Sequence, residues 1–255
     1  MTLRSRTKRS RTRRSVLLAI AAALACAFPA SADRSVAVFF RGFLASPPAG
    51  MDHLEAHLAA AFGGEPSQPF SSQVFAWTEQ QEAFDFIAGF SDVGCLILVG
   101  HSFGANSAIE LVTEFLAPAG IHVNLLITLD SVGANDDELP GNVDQGFNYW
   151  QVSTNLFEPQ GTSNVQGSLN ENVEDLYGVD PPDITHTEID DPLFERTPAA
   201  YAALFGSQPD LYARIEDSVA LFCAVFVPAL GPMGIAALLS ILLAAGRRSV
   251  QQTPK

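Results

Sequence analysis

An apolar run that ends in Gly-x-Ser-x-Gly and leads directly into a helical pattern constrains the fold of this chain more than any other feature. Residues 95–99, Cys-Leu-Ile-Leu-Val, are typical of a short strand buried on both faces. Gly-His-Ser-Phe-Gly follows, and the segment 103–116 is apolar on nearly all sides, as in a buried helix. Gly100 and Gly104 have no Cβ, so the strand and the helix can approach closely around the turn. The pattern predicts that this turn presents the hydroxyl of Ser102 at the carboxyl end of the strand.

Apolar runs alternate with helical patterns through the rest of the central region. The runs predict strands at 35–40, 73–77, 122–129 and 147–152, and the helical patterns predict helices at 51–62, 79–90, 193–205 and 211–225. The stretches 131–146 and 154–182 predict mostly irregular structure, with 131–146 as a surface loop or a lid. Strands that alternate with helices predict an α/β fold, with a parallel sheet and helices on both of its faces.

Residues 1–32 have the organisation of an export signal. A basic stretch comes first, an apolar core follows from Val16 to Phe28, and Ala30-Ser31-Ala32 offers a cleavage site. The sequence Thr-Arg-Arg-Ser-Val-Leu at 12–17 also resembles a twin-arginine signal, so that route and the general secretory route are both open. We therefore expect an exported protein, periplasmic or extracellular, whose folded domain covers residues 33–226.

Residues 227–255 contain a second apolar segment. As a helix, Val227 to Ala245 would span about 28 Å at about 1.5 Å per residue, close to the thickness of a bilayer core. Arg247 and Arg248 follow it and favour a cytoplasmic end. The order of a proline-containing motif, an apolar helix and a basic end resembles the C-terminal sorting signals of exosortase-type systems. This resemblance implies membrane attachment through the tail until a sorting protease cuts it; the alternative is a permanent single-span anchor.

The charge of the central region is strongly acidic. All 28 acidic residues lie between Asp33 and Gly246, where the only basic residues are Arg34, Arg41, Arg196 and Arg214. Such a surface repels nucleic acid and anionic lipid headgroups, so we expect no nucleic-acid partner.

Two cysteines remain in the expected mature domain, Cys95 and Cys223. In an oxidising compartment they can form one disulfide. The alternative is a pair of buried free thiols, and the sequence leaves both open.

A serine hydroxyl needs a base and a group that orients the base before it can act as a nucleophile. His186 is the best candidate base, because it lies in a loop 84 residues after Ser102. Asp130 ends the strand directly after the nucleophile helix, so it would share one rim of a parallel sheet with Ser102. Glu158, after the next strand, is the alternative acid.

A developing oxyanion needs hydrogen-bond donors close to the nucleophile. The N–H group of Phe103 is one candidate, because the residue follows Ser102 at the start of a helix. The turn after the first strand would supply a second donor, from Gly42 or Phe43.

The chain resembles the α/β-hydrolase superfamily in these residues. Gly-His-Ser-Phe-Gly at 100–104 and Leu-Ile-Thr-Leu-Asp-Ser at 126–131 are similar to a thioesterase or lipase core, and Arg-Gly-Phe at 41–43 is similar to a lipase oxyanion turn. The resemblance implies a three-layer sandwich with a shortened, mostly parallel sheet, because the family's usual first two strands have no counterpart here. It also implies that Ser102, Asp130 and His186 form a catalytic triad.

These observations predict an exported serine hydrolase that cleaves a small-molecule or lipid ester, or a thioester, through an acyl-serine intermediate. The expected chemistry uses no metal and no organic cofactor. Two other functions stay open: a non-catalytic surface protein that binds a partner on a hydrolase scaffold, and a serine peptidase.

Overall fold

A parallel sheet of six strands runs through the computed structural model, in the order β2-β1-β3-β4-β5-β6. The structure describes residues 34–43, 45, 47, 50–64, 68–134, 136–152, 159–177, 184–190 and 211–223. The predicted export signal, the predicted C-terminal apolar segment and the predicted helix at 193–205 lie outside these residues. Within the described ranges, no helix has the length and hydrophobicity needed to cross a membrane.

Strands and helices follow one another along the chain as the sequence predicts. The strands are β1 (Arg34–Phe40), β2 (Phe70–Phe75), β3 (Val93–His101), β4 (Val123–Leu129), β5 (Val143–Trp150) and β6 (Leu169–Asn172). The helices are α1 (Gly50–Phe62), α2 (Gln80–Ala88), α3 (Phe103–Glu110), α4 (Val173–Tyr177) and α5 (Leu211–Cys223). A π-helical segment, Leu111–Leu116, follows α3 directly.

The structure confirms the α/β class and the parallel sheet, and it adds one strand. The stretch 154–182 was expected to be mostly irregular, but β6 lies within it and pairs with β5. The sequence did not predict β6 because Leu-Asn-Glu-Asn has no apolar pattern: β6 is an edge strand whose side chains are exposed or half-buried. The short helix α4 follows it in the same stretch.

Two apolar clusters cover the two faces of the sheet. On one face, α1 and α5 pack against alternate strand residues such as Ile97 and Val99. On the other face, α2 and α3 pack against the intervening residues, such as Leu96 and Leu98. Because strand side chains alternate between faces, the run 95–99 is buried on both sides and carries no polar residue.

The strand order places a crevice between the ends of β1 and β3. The chain moves from β1 outward to β2, then returns across β1 to β3 and continues to β6. At such a reversal the connections after the two strands leave in opposite directions, which opens a crevice at their carboxyl ends. Gly42 follows β1 and Ser102 follows β3, so both residues lie at this crevice.

Of the two states open to Cys95 and Cys223, the structure shows the disulfide. It joins the beginning of β3 to the last residue of α5, and the two Cα atoms are 5.5 Å apart. The bond therefore fastens α5 to the amino end of the strand whose carboxyl end leads to Ser102.

Candidate active site

The turn between β3 and α3 holds Ser102 in a strained conformation. Its φ is +56° and its ψ is −126°, backbone angles that residues with a Cβ rarely adopt. A Cβ on Gly100 would lie 2.6 Å from the Cα of Ala105, and one on Gly104 would lie 2.6 Å from the carbonyl oxygen of Arg41. Both glycines are therefore required for the close packing that forces Ser102 out of the turn.

Ser102, His186 and Asp130 form one chain of hydrogen bonds. The Oγ of Ser102 lies 2.8 Å from Nε2 of His186, and Nδ1 of the same ring is hydrogen-bonded to Oδ2 of Asp130. An ionised carboxylate only accepts, so Nδ1 carries the proton and Nε2 is left to accept the proton of the Ser102 hydroxyl. All three residues are at least 94% buried, with Asp130 fully buried.

The carboxylate of Asp130 is held by groups on three sides. Its Oδ1 accepts a hydrogen bond of 2.9 Å from the N–H of Gly161, and its Oδ2 accepts one of 3.1 Å from the side-chain amide of Gln151. Asp130 itself has a φ of +46°, and within the described part of the chain only Ser102 shares this feature among non-glycine residues. The two strained residues thus follow directly on the neighbouring strands β3 and β4.

A second buried carboxylate, Glu174, lies near Asp130 but holds a different partner. Its Oε1 accepts a hydrogen bond of 3.0 Å from the N–H of Val152. Burial raises the pKa of Glu174, and repulsion from Asp130 adds to the increase. The Glu174 side chain thus binds the backbone at Val152, and the carboxylate that contacts His186 is that of Asp130.

The predicted oxyanion turn lies against the nucleophile. A Cβ on Gly42 would lie 3.0 Å from the Cβ of Ser102, so the backbone of this turn can approach the hydroxyl only because residue 42 is glycine. Within the described chain, no acceptor takes a hydrogen bond from the N–H of Phe43 or Phe103.

Three aromatic side chains surround this turn. The ring centroids of Phe43, Trp77 and Phe103 are 5.5–6.0 Å apart, a distance typical of favourable aromatic contacts. Phe43 is 56% exposed and Phe103 38% exposed, although both rings are large and apolar. We call these three residues the aromatic rim. It gives the approach to Ser102 an apolar surface on the side of β1 and β2.

The loop that carries His186 is fixed to the rest of the site by two residues that sequence reasoning missed, His101 and Asp190. Nε2 of His101 lies 2.8 Å from the backbone oxygen of His186, and its Nδ1 lies 3.1 Å from Oδ2 of Asp190. Burial lowers the pKa of His101, but the charge and hydrogen bond of Asp190 outweigh burial and raise it above the usual 6.5.

The other predicted positions are placed as follows. Glu158, the alternative acid, lies outside the described residues. No cluster of three metal-binding side chains occurs among the residues with described positions. No local sequence signal reveals the pairing of His101 with Asp190, 89 residues away.

Family models and curated protein sequences provide no relative of this chain. No family model matches the chain, and no curated protein sequence matches it.

Proposed function

We propose that this protein is a serine hydrolase of the α/β-hydrolase type that cleaves carboxylic esters through an acyl-Ser102 intermediate. The hydrogen-bonded chain from Ser102 Oγ through His186 to Asp130 carries the proposal. Further support comes from the strained turn at Ser102, which fits a nucleophile elbow, and from the site's position at the reversal of strand order.

In this proposal Ser102 Oγ attacks the carbonyl carbon of the ester while its proton passes to Nε2 of His186. Asp130 stabilises the resulting imidazolium through Nδ1. The N–H groups of Phe103 and of Gly42 or Phe43, the proposed oxyanion donors, stabilise the charge that develops on the carbonyl oxygen. His186 then returns the proton to the leaving alcohol, and a water molecule activated by the same nitrogen releases the acid from Ser102.

The aromatic rim favours substrates in which the ester carries an apolar group. Exposed aromatic rings bury apolar surface when a hydrocarbon chain or ring binds to them, at about 25 cal/mol per Å². Since the rim adjoins the oxyanion turn, such a group would lie next to the reacting carbonyl. Lipid esters and other apolar esters are therefore favoured over charged substrates, which the acidic surface also disfavours when they are anionic.

Export of the protein is part of the proposal. The disulfide between Cys95 and Cys223 supports it, because disulfides persist in oxidising compartments outside the cytoplasm.

The test is to label the protein with a fluorophosphonate probe and to measure hydrolysis of p-nitrophenyl esters of graded chain length. We expect an adduct on Ser102, turnover that rises with acyl length, and loss of both in the variant Ser102→Ala with folding intact. A folded wild-type protein that forms no adduct would contradict the proposal and favour a non-catalytic binding protein. Faster turnover of peptide anilides than of esters would instead favour a peptidase.

A further inference from the structure

We propose that His101 is a positioning residue: a buried imidazolium whose ion pair with Asp190 holds the loop of His186 against the nucleophile strand. The contacts of the two ring nitrogens lead to this conclusion. The backbone oxygen of His186, 2.8 Å from Nε2, can only accept, so Nε2 carries a proton. The carboxylate of Asp190, 3.1 Å from Nδ1, accepts a hydrogen bond from this second nitrogen, so Nδ1 carries a proton as well.

A ring with two protons is positively charged, and its surroundings are suited to hold that charge. The side chains of His101 and Asp190 are only 8% and 7% exposed, so each would be costly to bury as an unpaired ion. Removal of either partner is therefore expected to change the protonation state of the other.

The ion pair lies where several parts of the chain meet. Ile184 and Ile189 are buried on either side of His186, and Asp190 follows directly. The hydroxyl of Tyr212, on α5, lies 2.7 Å from the backbone oxygen of Asp190. A Cβ on Gly50, the first residue of α1, would lie 2.6 Å from the carboxylate oxygens of Asp190. The loop is thus anchored to both helices of one face, and His101 provides its link to β3.

The charged groups around His101 determine how the link responds to pH. In the loop of His186, the groups that face His101 are Asp190 and the ring of His186, whose centroid is 4.8 Å away. At the end of β4, Asp130 also interacts electrostatically with His101. The turn after β1 presents Gly42 to it, while Arg41 beside that glycine is paired with Asp52.

The raised pKa of His101 fixes the sign of the pH effect. The ion pair is fully formed below the ordinary histidine value of 6.5 and is lost as the pH rises through the higher value in the folded protein. We expect both the stability of the protein and its turnover to fall over that alkaline interval.

The kinetic part of this inference rests on the proposed function, and its test is the variant Asp190→Asn. Without the carboxylate, His101 becomes neutral and His186 is held less firmly, so we expect kcat to fall ~10- to 100-fold with KM little changed. The alkaline decline in turnover should also disappear. Asp144→Asn is the matched control, because Asp144 forms a similar but exposed pair with His122, and it should leave kcat unchanged.

Nitrogen-15 NMR of histidine-labelled protein tests the ion pair without any substrate. We expect both ring nitrogens of His101 to remain protonated above pH 6.5 in the wild type and one to lose its proton in Asp190→Asn. If the folded wild-type protein forms no adduct with the fluorophosphonate probe and hydrolyses no ester, these spectra alone decide the inference.

Two results would overturn it. One is a wild-type spectrum in which His101 loses its second ring proton at or below pH 6.5. This measurement does not require any variant to fold. The other is a folded Asp190→Asn variant with the turnover and pH profile of the wild type.

His101→Gln keeps an N–H donor for the oxygen of His186 without a charge, and should recover part of the activity that His101→Ala loses.

Discussion

The two ends of the sheet use the same pair of residue types for different purposes. At the amino end, His122 and Asp144 form a hydrogen-bonded pair whose side chains are more than half exposed. At the carboxyl end, His186 pairs with Asp130 and His101 pairs with Asp190, and all four side chains are at most 8% exposed. An exposed pair contributes about 0–1 kcal/mol, whereas a buried pair fixes the position and protonation of both partners.

The backbone differs between the two ends in the same way. The carboxyl end holds Ser102 and Asp130 at positive φ, and it packs Gly42 against the nucleophile. The amino end has Gly141 at a turn where a Cβ would meet nothing within 4 Å. Both described non-glycine residues with positive φ thus lie where the proposed chemistry occurs, and the disulfide lies at the opposite end of β3. The comparison predicts that changes at the carboxyl end lower turnover, whereas changes at the amino end leave turnover unchanged.

The largest difference is expected between His186→Ala and His122→Ala. Loss of the base leaves the Ser102 hydroxyl without a proton acceptor, so kcat should fall by roughly 10⁴- to 10⁶-fold. His122→Ala removes an exposed ring and should change neither kcat nor the melting temperature beyond experimental error. Ester hydrolysis rates and circular dichroism melts measure both. Equal losses in the two variants would show that the burial of a pair does not distinguish its role.

Much of the carboxyl end was predictable because its signals are local. Gly-His-Ser-Phe-Gly after an apolar run predicts the elbow, since backbone sterics restrict what such a sequence can form. Asp130 follows a strand directly, and the geometry of parallel strands places it at the same rim. His186 was found from its loop position and its order in the chain.

Other features depend on long-range packing that no local pattern encodes. Nothing near His101 or Asp190 in sequence indicates that they meet, since their contact forms only when a loop closes over β3. The edge strand β6 escaped prediction because Leu-Asn-Glu-Asn carries polar side chains at an exposed sheet edge. The cysteine pair was undecided, since spacing alone cannot place the end of α5 next to β3.

A smaller loss is expected for Gly42→Ala, with Gly141→Ala as its control. The new Cβ at residue 42 would lie 3.0 Å from the Cβ of Ser102 and 3.3 Å from the oxygen of His101, so the turn must shift by a few tenths of an ångström. Displaced oxyanion donors should lower kcat by about 10- to 100-fold. Gly141→Ala adds a methyl group in open space and should leave kcat unchanged. Full activity in folded Gly42→Ala would remove this turn from the oxyanion site.

The smallest effect on turnover is expected at the amino end, in the double variant Cys95→Ala, Cys223→Ala. The disulfide links residues 128 positions apart, and its loss should lower the free energy of unfolding by about 2–5 kcal/mol. Because the bond lies at the far end of β3 from Ser102, kcat measured well below the melting temperature should stay at the wild-type value. Urea unfolding and ester hydrolysis measure the two quantities on the same sample, and reduced wild-type protein should behave as the variant does. If kcat falls in step with stability, β3 transmits strain along its length, and the division between a catalytic end and a stabilising end does not hold.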